Sequence, residues 1–93
     1  MNKYSVQSSK RYRKQYKLLK KRGYNLALLD DVITLLSKGE PLPSKYSDHP
    51  LKGNLSGYRD CHIKDDWVLL YRYDNNDLIL LLFQTGTHSD ILE

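Results

Sequence analysis

Residues 67–83 read WVLLYRYDNNDLILLLF, and this stretch decides the fold class. Trp67 to Tyr73 is rich in aliphatic and aromatic residues that favour extended backbone, and Leu78 to Phe83 is apolar throughout. Between them, Asp74 to Asp77 consists only of Asp and Asn, which tolerate left-handed backbone in tight turns. The stretch predicts two neighbouring antiparallel strands, because so short a turn cannot make a parallel crossover.

Upstream of this hairpin, Tyr58 to Ile63 alternates with a period of two and predicts a third strand. The turn Lys64 to Asp66 joins it to the next strand. Residues 40–55 contain three prolines and a glycine and show no period, so a loop is expected there.

The first half of the chain predicts two helices. Tyr12, Tyr16 and Leu19 recur at spacings of four and three, after a capping serine at Ser8 or Ser9 and before a stop at Gly23. A second helix would begin after Asn25 and end at Gly39. Its apolar face would comprise Leu26, Leu29, Ile33 and Leu36.

The chain of 93 residues is therefore predicted to form one domain, residues 1–93, of the α+β class. Alternation at Tyr4 and Val6 predicts an N-terminal strand. A two-helix hairpin would pack on one face of an antiparallel sheet of about four strands. The other face of the sheet would be available for binding.

Positive charge is concentrated at the N-terminus, although the net charge is only +4. No acidic residue precedes Asp30, whereas nine basic residues do: Lys3, Lys10, Arg11, Arg13, Lys14, Lys17, Lys20, Lys21 and Arg22. Such a field suits a phosphate-bearing partner, with an acidic protein partner or a merely solvated helix face as alternatives.

The compartment is predicted to be the cytoplasm. The single cysteine, Cys61, cannot form an internal disulfide and is expected to be a small strand residue that faces the protein core. The basic N-terminus lacks the apolar segment of a signal peptide. The longest apolar run, Leu78 to Phe83, is far too short to cross a membrane.

Three histidines and a carboxylate suggest acid–base chemistry on an anionic substrate: His49, His62, His88 and Asp66. RNA cleavage needs a base for the 2′-hydroxyl, an acid for the 5′-oxygen and cations for the phosphoryl oxygens. Arg59 offers one such cation. Tyr58 and Trp67 could stack on unpaired bases, although the core is the more usual place for Trp67.

Two other readings of the histidines remain open. Each could be structural, and together they could hold zinc, although no two have the close H-x-x-x-H spacing. The sequence contains no Walker loop, dinucleotide-binding glycine pattern or nucleophile elbow. No cofactor is therefore predicted.

Five short strings, in this order, resemble the YafQ branch of the RelE/ParE toxin superfamily of bacterial toxin–antitoxin systems. They are Pro41-Leu42-Pro43, Tyr46-x-Asp48-His49-Pro50-Leu51-x-Gly53, Gly57-Tyr58-Arg59-Asp60-x-His62, Asp66-Trp67-x-Leu69-x-Tyr71 and Thr85-Gly86-Thr87-His88. The resemblance implies a RelE-like fold and a ribosome-dependent endoribonuclease that cuts mRNA in the A site without a metal. It also implies a cognate antitoxin that blocks the toxin and supplies binding to operator DNA.

The resemblance also implies roles for single residues. His49 and His62 would support the scissile phosphate, Asp66 would be the general base and His88 the general acid, although a histidine as base is an open alternative. Leu92 occupies the place of a common family Phe that would contact mRNA. The basic first helix, through Lys10, Lys14 and Lys17, would dock on ribosomal RNA phosphates. The rival functions are a non-catalytic RNA- or antitoxin-binding module and a metal-dependent hydrolase.

Overall fold

The computed structural model describes residues 2–91 and shows two helices packed on a five-stranded sheet. In chain order the elements are β1 (Ser5–Ser8), α1 (Lys10–Lys21), α2 (Leu26–Ser37), β2 (His49–Pro50), β3 (Arg59–Lys64), β4 (Trp67–Asp74) and β5 (Ile79–Thr87). Between α2 and β3 the chain also makes two single 3-10 turns, Ser44–Tyr46 and Gly53–Leu55. No helix within residues 2–91 has the length and apolarity needed to cross a lipid bilayer.

The hairpin of β4 and β5 forms the centre of the sheet, as residues 67–83 predicted. The strand order is β1-β5-β4-β3-β2, and β4 pairs with β5 and β3 in antiparallel fashion. In the connecting turn, Asp74 Oδ1 accepts hydrogen bonds from the backbone N–H groups of Asn76 and Asp77, at 3.1 and 3.2 Å. The short polar side chain thus closes the turn as expected of Asp.

The expected sheet of about four antiparallel strands needs two corrections. First, β1 pairs with the edge of β5 in parallel, with Ser5 opposite Ile79. The two helices between β1 and the rest of the sheet form the crossover that a parallel pair requires. Second, His49 and Pro50 form a two-residue strand opposite Asp60 and Arg59, inside the segment predicted to be loop. Two residues are too few to show a period.

Both helix starts agree with the sequence. Ser9 Oγ accepts a hydrogen bond from the backbone N–H of Tyr12 at 3.0 Å, and Asn25 Oδ1 accepts one from Ala27 at 3.2 Å. Gly23 has a φ of +82°, so it reverses the chain between the helices in a conformation that other residues resist. The stripe of α1 faces the core through Tyr12 and Leu19, which leaves the lysines of this helix in solvent.

The core lies between the helices and one face of the sheet. Its fully buried side chains include Leu29, Val32, Cys61, Leu69 and Leu80. Cys61 is buried, as predicted, and burial raises the pKa of its thiol. Because successive side chains of a strand point to opposite faces, Asp60 and His62 of β3 lie on the other, open face of the sheet. This face carries the candidate site.

Candidate active site

The three histidines converge on the open face, with His62 in the middle of a row. The ring centroid of His62 lies 6.5 Å from that of His49 and 5.8 Å from that of His88. Strand pairing produces this convergence, because β2 places His49 opposite Asp60, two residues before His62. His88 follows the last residue of β5. The rings can therefore act on a single bound group.

His88 and Asp66 form a hydrogen-bonded pair at the end of the sheet. The register of β4 against β5 places Trp67 opposite Thr87, so their neighbours Asp66 and His88 meet. The side-chain hydrogen bond from His88 lowers the pKa of Asp66. The carboxylate is then ionised and only accepts, so His88 Nδ1–H donates to Asp66 Oδ1. The pair thus fixes Nδ1 as the ring nitrogen of His88 that faces Asp66.

Asp60 is a fifth polar group of the site, and no sequence pattern had pointed to it. Its Oδ2 lies 3.8 Å from His49 Nε2, while its Oδ1 is buried and has no hydrogen-bond partner among residues 2–91. Burial raises the pKa of Asp60, and the charges of the three histidines oppose that shift. The two-residue spacing from His62 on one strand could have identified it.

A carboxylate from the C-terminal turn holds the segment that carries His88. Asp90 Oδ2 accepts hydrogen bonds from the backbone N–H and the hydroxyl of Thr87, at 3.1 and 3.0 Å, and pairs with Arg22 at 3.1 Å. The backbone bond from Thr87 lowers the pKa of Asp90, and the Arg22 charge adds to the effect. Asp90 thus holds Thr87, the residue immediately before His88.

Gly86 allows the C-terminal turn that carries Asp90 to pack closely against β5. The glycine lies within β5, opposite Val68 of β4. A Cβ atom at Gly86 would lie 2.9 Å from Cβ of Asp90, and φ of Gly86 is +149°. The glycine therefore permits a close approach of the C-terminal turn.

Trp67 is a core residue, so its alternative role in base stacking is not supported. Only 3% of its surface is exposed, and its Nε1–H donates to Thr85 Oγ1 at 3.0 Å. Its ring also meets Tyr24 edge-on, with centroids 5.1 Å apart. With its polar group satisfied inside the fold, the indole has no open face for a nucleotide.

Arg59 likewise does not reach the histidine row. It precedes Asp60 on β3, so alternation directs it to the opposite face, where its Nε–H donates to Asp48 Oδ1 at 3.2 Å. Tyr71 donates its hydroxyl to the same oxygen at 2.7 Å. The contact between Arg59 and RNA stays a prediction, and this arrangement places it away from the histidine row. The arrangement braces Asp48, the residue next to His49.

The other predicted RNA contacts are not part of the histidine row. Lys10, Lys14 and Lys17 are exposed on α1, as a docking surface requires. Tyr58 is partly exposed and stacks on Phe83 with centroids 4.5 Å apart. Leu92 lies outside the described residues.

A metal ion could be held by part of the same group. Asp60, His62 and His88 each offer one possible metal-ligand atom, and these three atoms lie within 4.8 Å of one another. Two imidazoles and a carboxylate are a ligand set that zinc accepts. The hydrogen bond from His88 to Asp66 is the outer contact that such ligands often make, and the unpartnered Asp60 Oδ1 is a further available donor. The residues therefore fit a divalent ion of this class.

Comparison with known proteins identifies a family. The chain matches the profile described as "Bacterial toxin of type II toxin-antitoxin system, YafQ" over residues 4–93. The mRNA interferase toxin YafQ of Escherichia coli K12 is 41% identical over 85 residues, which cover 90% of each chain.

Two solved structures resemble the fold over nearly their whole length. A metal-bound toxin from Helicobacter pylori superposes with a TM-score of 0.90 at 39% identity, covering 96% of this chain and 99% of that one. The E. coli DinJ–YafQ toxin–antitoxin complex gives a TM-score of 0.87 at 38% identity, covering 98% and 99%.

Proposed function

Because the chain belongs to the YafQ family of type II toxin–antitoxin toxins, we propose that it is an mRNA interferase, an endoribonuclease acting on mRNA in the ribosomal A site. The observation that carries this proposal is the row of His49, His62 and His88, with His88 held by Asp66. Relatives that match most of the chain are mRNA interferases by name, which supports the same reaction class.

The proposed reaction uses two imidazoles for the two proton transfers. His62 takes the proton of the 2′-hydroxyl while that oxygen attacks the adjacent phosphorus. His88 gives a proton from Nε2 to the 5′-oxygen as the bond between phosphorus and that oxygen breaks. The products are a 2′,3′-cyclic phosphate and a 5′-hydroxyl end, and the two imidazoles have exchanged protonation states.

The carboxylates would support the imidazoles and would not exchange protons themselves. Asp66 already accepts a hydrogen bond from His88, and its lowered pKa makes it a weak general base at neutral pH. It holds the His88 ring in one tautomer and stabilises its charged form, the part a carboxylate plays beside a catalytic histidine. This favours a histidine as base over Asp66.

Charge on the phosphoryl oxygens also needs a cation. His49 is exposed beside His62, and its Nδ1–H donates to the backbone carbonyl of Ser47 at 2.7 Å. Its Nε2 therefore faces Asp60 and the site. A protonated His49 would neutralise the phosphate while Asp60 stabilises that charge. These groups complete the reaction without a cofactor.

The proposed partners follow from the same family. The DinJ–YafQ complexes support a cognate antitoxin that binds this chain. Contact with operator DNA would be made only through that antitoxin. The ribosome and its mRNA would be met in the cytoplasm. The exposed lysines of α1 supply the charge for docking on ribosomal RNA.

Cleavage on the ribosome is tested by inducing the wild-type chain with two forms of one reporter mRNA. One form carries its start codon, and the other has that codon replaced. We expect new 5′ ends inside the reading frame of the translated form alone, together with arrest of growth. Equal cutting of both forms would contradict ribosome dependence, and no cutting of either would contradict the ribonuclease function.

Replacing Lys10, Lys14 and Lys17 together by Gln is expected to weaken ribosome binding and make it less salt-dependent. If each lysine neutralises one phosphate, the slope of log K against log salt should fall by about two to three units. Ribosome co-sedimentation over a range of salt concentrations measures the slope. The matched control replaces Lys3, Lys38 and Lys45, which are exposed elsewhere. If the two variants gave the same slope of log K against log salt, the lysines of α1 would be merely solvated and would not contact ribosomal RNA.

Replacing Asp60 by Asn is expected to stabilise the fold at neutral pH while lowering activity about tenfold, or about 1.4 kcal/mol of transition-state stabilisation. Burial raises the pKa of Asp60, so its ionisation opposes folding and this cost appears as the pH rises through that pKa. The unfolding temperatures of wild type and Asp60→Asn should therefore differ at pH 7. They should converge below about pH 3.9, where the Asp60 carboxyl is protonated in both the folded and the unfolded protein. Asp77→Asn, an exposed change of equal charge, is the control. A less stable variant with full activity would refute this role.

The rival functions make opposite predictions. A non-catalytic module would bind antitoxin or RNA normally but leave translated mRNA intact.

A metal-dependent hydrolase would use the ion that Asp60, His62 and His88 can hold, and would lose activity with a chelator. The metal-bound H. pylori relative supports metal binding at this fold, and we propose that such an ion inhibits this chain.

A further inference from the structure

A groove of about 440 Å³ opens beside the proposed catalytic pair and plays no part in the reaction as described above. Its walls come from the turn between the helices, the turn between β3 and β4, and the end of β5. The residues that matter here are Tyr24, Leu28, Lys64, Asp66 and Trp67. Its volume falls within the range of small-molecule pockets.

The apolar part of the groove could accept a flat ring. Tyr24 meets Trp67 edge-on, with ring planes at 87°, and Leu28 adds aliphatic surface. Tyr24 is partly exposed, unlike Trp67, so it can present ring surface to a ligand. Trp67 is almost fully buried, so it supports the Tyr24 ring from behind and offers no face of its own to a ligand. Unpaired bases are commonly bound on such aromatic surfaces.

Lys64 is the cation that lines the groove, and it is exposed on the rim beside Asp65 and Asp66. The exposed Lys20 and Lys21 end α1 shortly before Gly23, which also lines the groove. A phosphate of the strand could pair with Lys64 while its base entered the apolar part.

The position of the groove relates it to one nucleotide of the substrate. Asp66 lines the groove and also accepts the hydrogen bond from His88, which would protonate the leaving 5′-oxygen. The nucleotide that carries this oxygen is the one on the 3′ side of the cut. Its base is therefore the base closest to the groove.

We propose that this groove binds the base on the 3′ side of the scissile phosphate, with Tyr24 as the surface that selects the base and Lys64 as its phosphate contact. The inference rests on the proposed ribonuclease function. It makes Tyr24 and Lys64 specificity-determining residues that do not exchange protons with the substrate.

The test compares wild type, Tyr24→Leu, Tyr24→Phe and Lys64→Gln in a reconstituted translation reaction, with every cut mapped to its nucleotide. Loss of the aromatic surface in Tyr24→Leu should lower kcat/KM about five- to 150-fold, mainly through KM, and flatten the preference for the base 3′ of the cut. Tyr24→Phe retains the ring and should keep the wild-type preference. Lys64→Gln should raise KM with kcat unchanged.

The control is Tyr46→Leu, since Tyr46 is also a partly buried tyrosine packed against the core but lies outside the groove. Thermal unfolding checks each variant, and the exposed Lys64 can be changed even if Tyr24→Leu does not fold. An unchanged base preference in folded Tyr24→Leu, with an unchanged KM in Lys64→Gln, would overturn the groove assignment. So would an equal loss in Tyr46→Leu. Absence of cuts by wild type would instead show that the ribonuclease function itself is wrong.

Discussion

Replacing His88 by Ala is expected to lower the rate of mRNA cleavage by about 10²- to 10⁴-fold, the usual contribution of a positioned general acid. The imidazole follows β5 and is held by Asp66 through Nδ1. Its ring centroid lies 5.8 Å from that of His62. No other side chain among residues 2–91 combines that hydrogen bond with that place in the row. Single-turnover cleavage on programmed ribosomes measures the chemical step directly.

The loss should appear in kcat, with ribosome binding unchanged, because the ring does not contribute to the basic surface of α1. Asp66→Asn should also lower kcat strongly, since an amide can donate to His88 and select the wrong tautomer. The pH–rate profile separates the two candidate bases. The hydrogen bond from His88 lowers the pKa of Asp66, so Asp66 as base would place the acidic limb of the profile below the usual carboxylate range. A limb above that range would exclude Asp66 as the base.

A cleavage rate reduced less than tenfold in folded His88→Ala would remove His88 from the reaction. His49→Ala is the matched comparison, because it deletes an exposed imidazole from the same row. We expect a smaller loss there, since His49 supplies charge without transferring a proton. Equal losses in both variants would mean that the row acts only through its charge.

Much of the fold was predictable, because local signals specify it. The turn at Asp74 and the caps at Ser9 and Asn25 each act within three residues of their own position, and all three formed as expected. The direction of β1 was not predictable in this way. Its pairing with β5 joins residues more than 70 positions apart, and alternation in a sequence carries no information on strand direction.

The site was predictable in its members more than in its geometry. The strings that contain His49, His62 and His88 indicated the chemistry, and the sheet does bring these rings together. Arg59 and Asp60 show what was lacking. Adjacent residues on a strand face opposite sides, so the expected core position of Cys61 already implied that Arg59 and Asp60 differ. Their partners, Asp48 and His49, depend on the short strand β2, which the sequence did not indicate.

Trp67 illustrates the same limit in a different way. Its position beside Asp66 suggested a role in the site, yet its indole packs into the core and donates to Thr85 across the sheet. That hydrogen bond depends on the register between β4 and β5. Tyr24, from a distant turn, was not singled out at all, because only tertiary packing brings it to Trp67.

The second large effect concerns Zn²⁺, which is expected to reduce cleavage to the level of His88→Ala. Asp60, His62 and His88 can approach one ion together, and imidazole binds zinc through the lone pair that proton transfer requires. The ion would engage the proposed base and acid at once. Chelator-treated protein should therefore be fully active, and added Zn²⁺ should inhibit it in proportion to site occupancy measured by calorimetry.

The variants separate this inhibition from unspecific effects of the metal. Asp60→Asn removes a carboxylate ligand and should require more Zn²⁺ for half-inhibition of its remaining activity, whereas His49→Ala lies outside the three-ligand group and should retain wild-type sensitivity. Mg²⁺ should not inhibit, because it prefers oxygen ligands in octahedral geometry and binds imidazole poorly. Loss of activity on chelation, restored by Zn²⁺, would reverse the conclusion: the ion would then be part of the catalyst, and the two-imidazole reaction would be wrong.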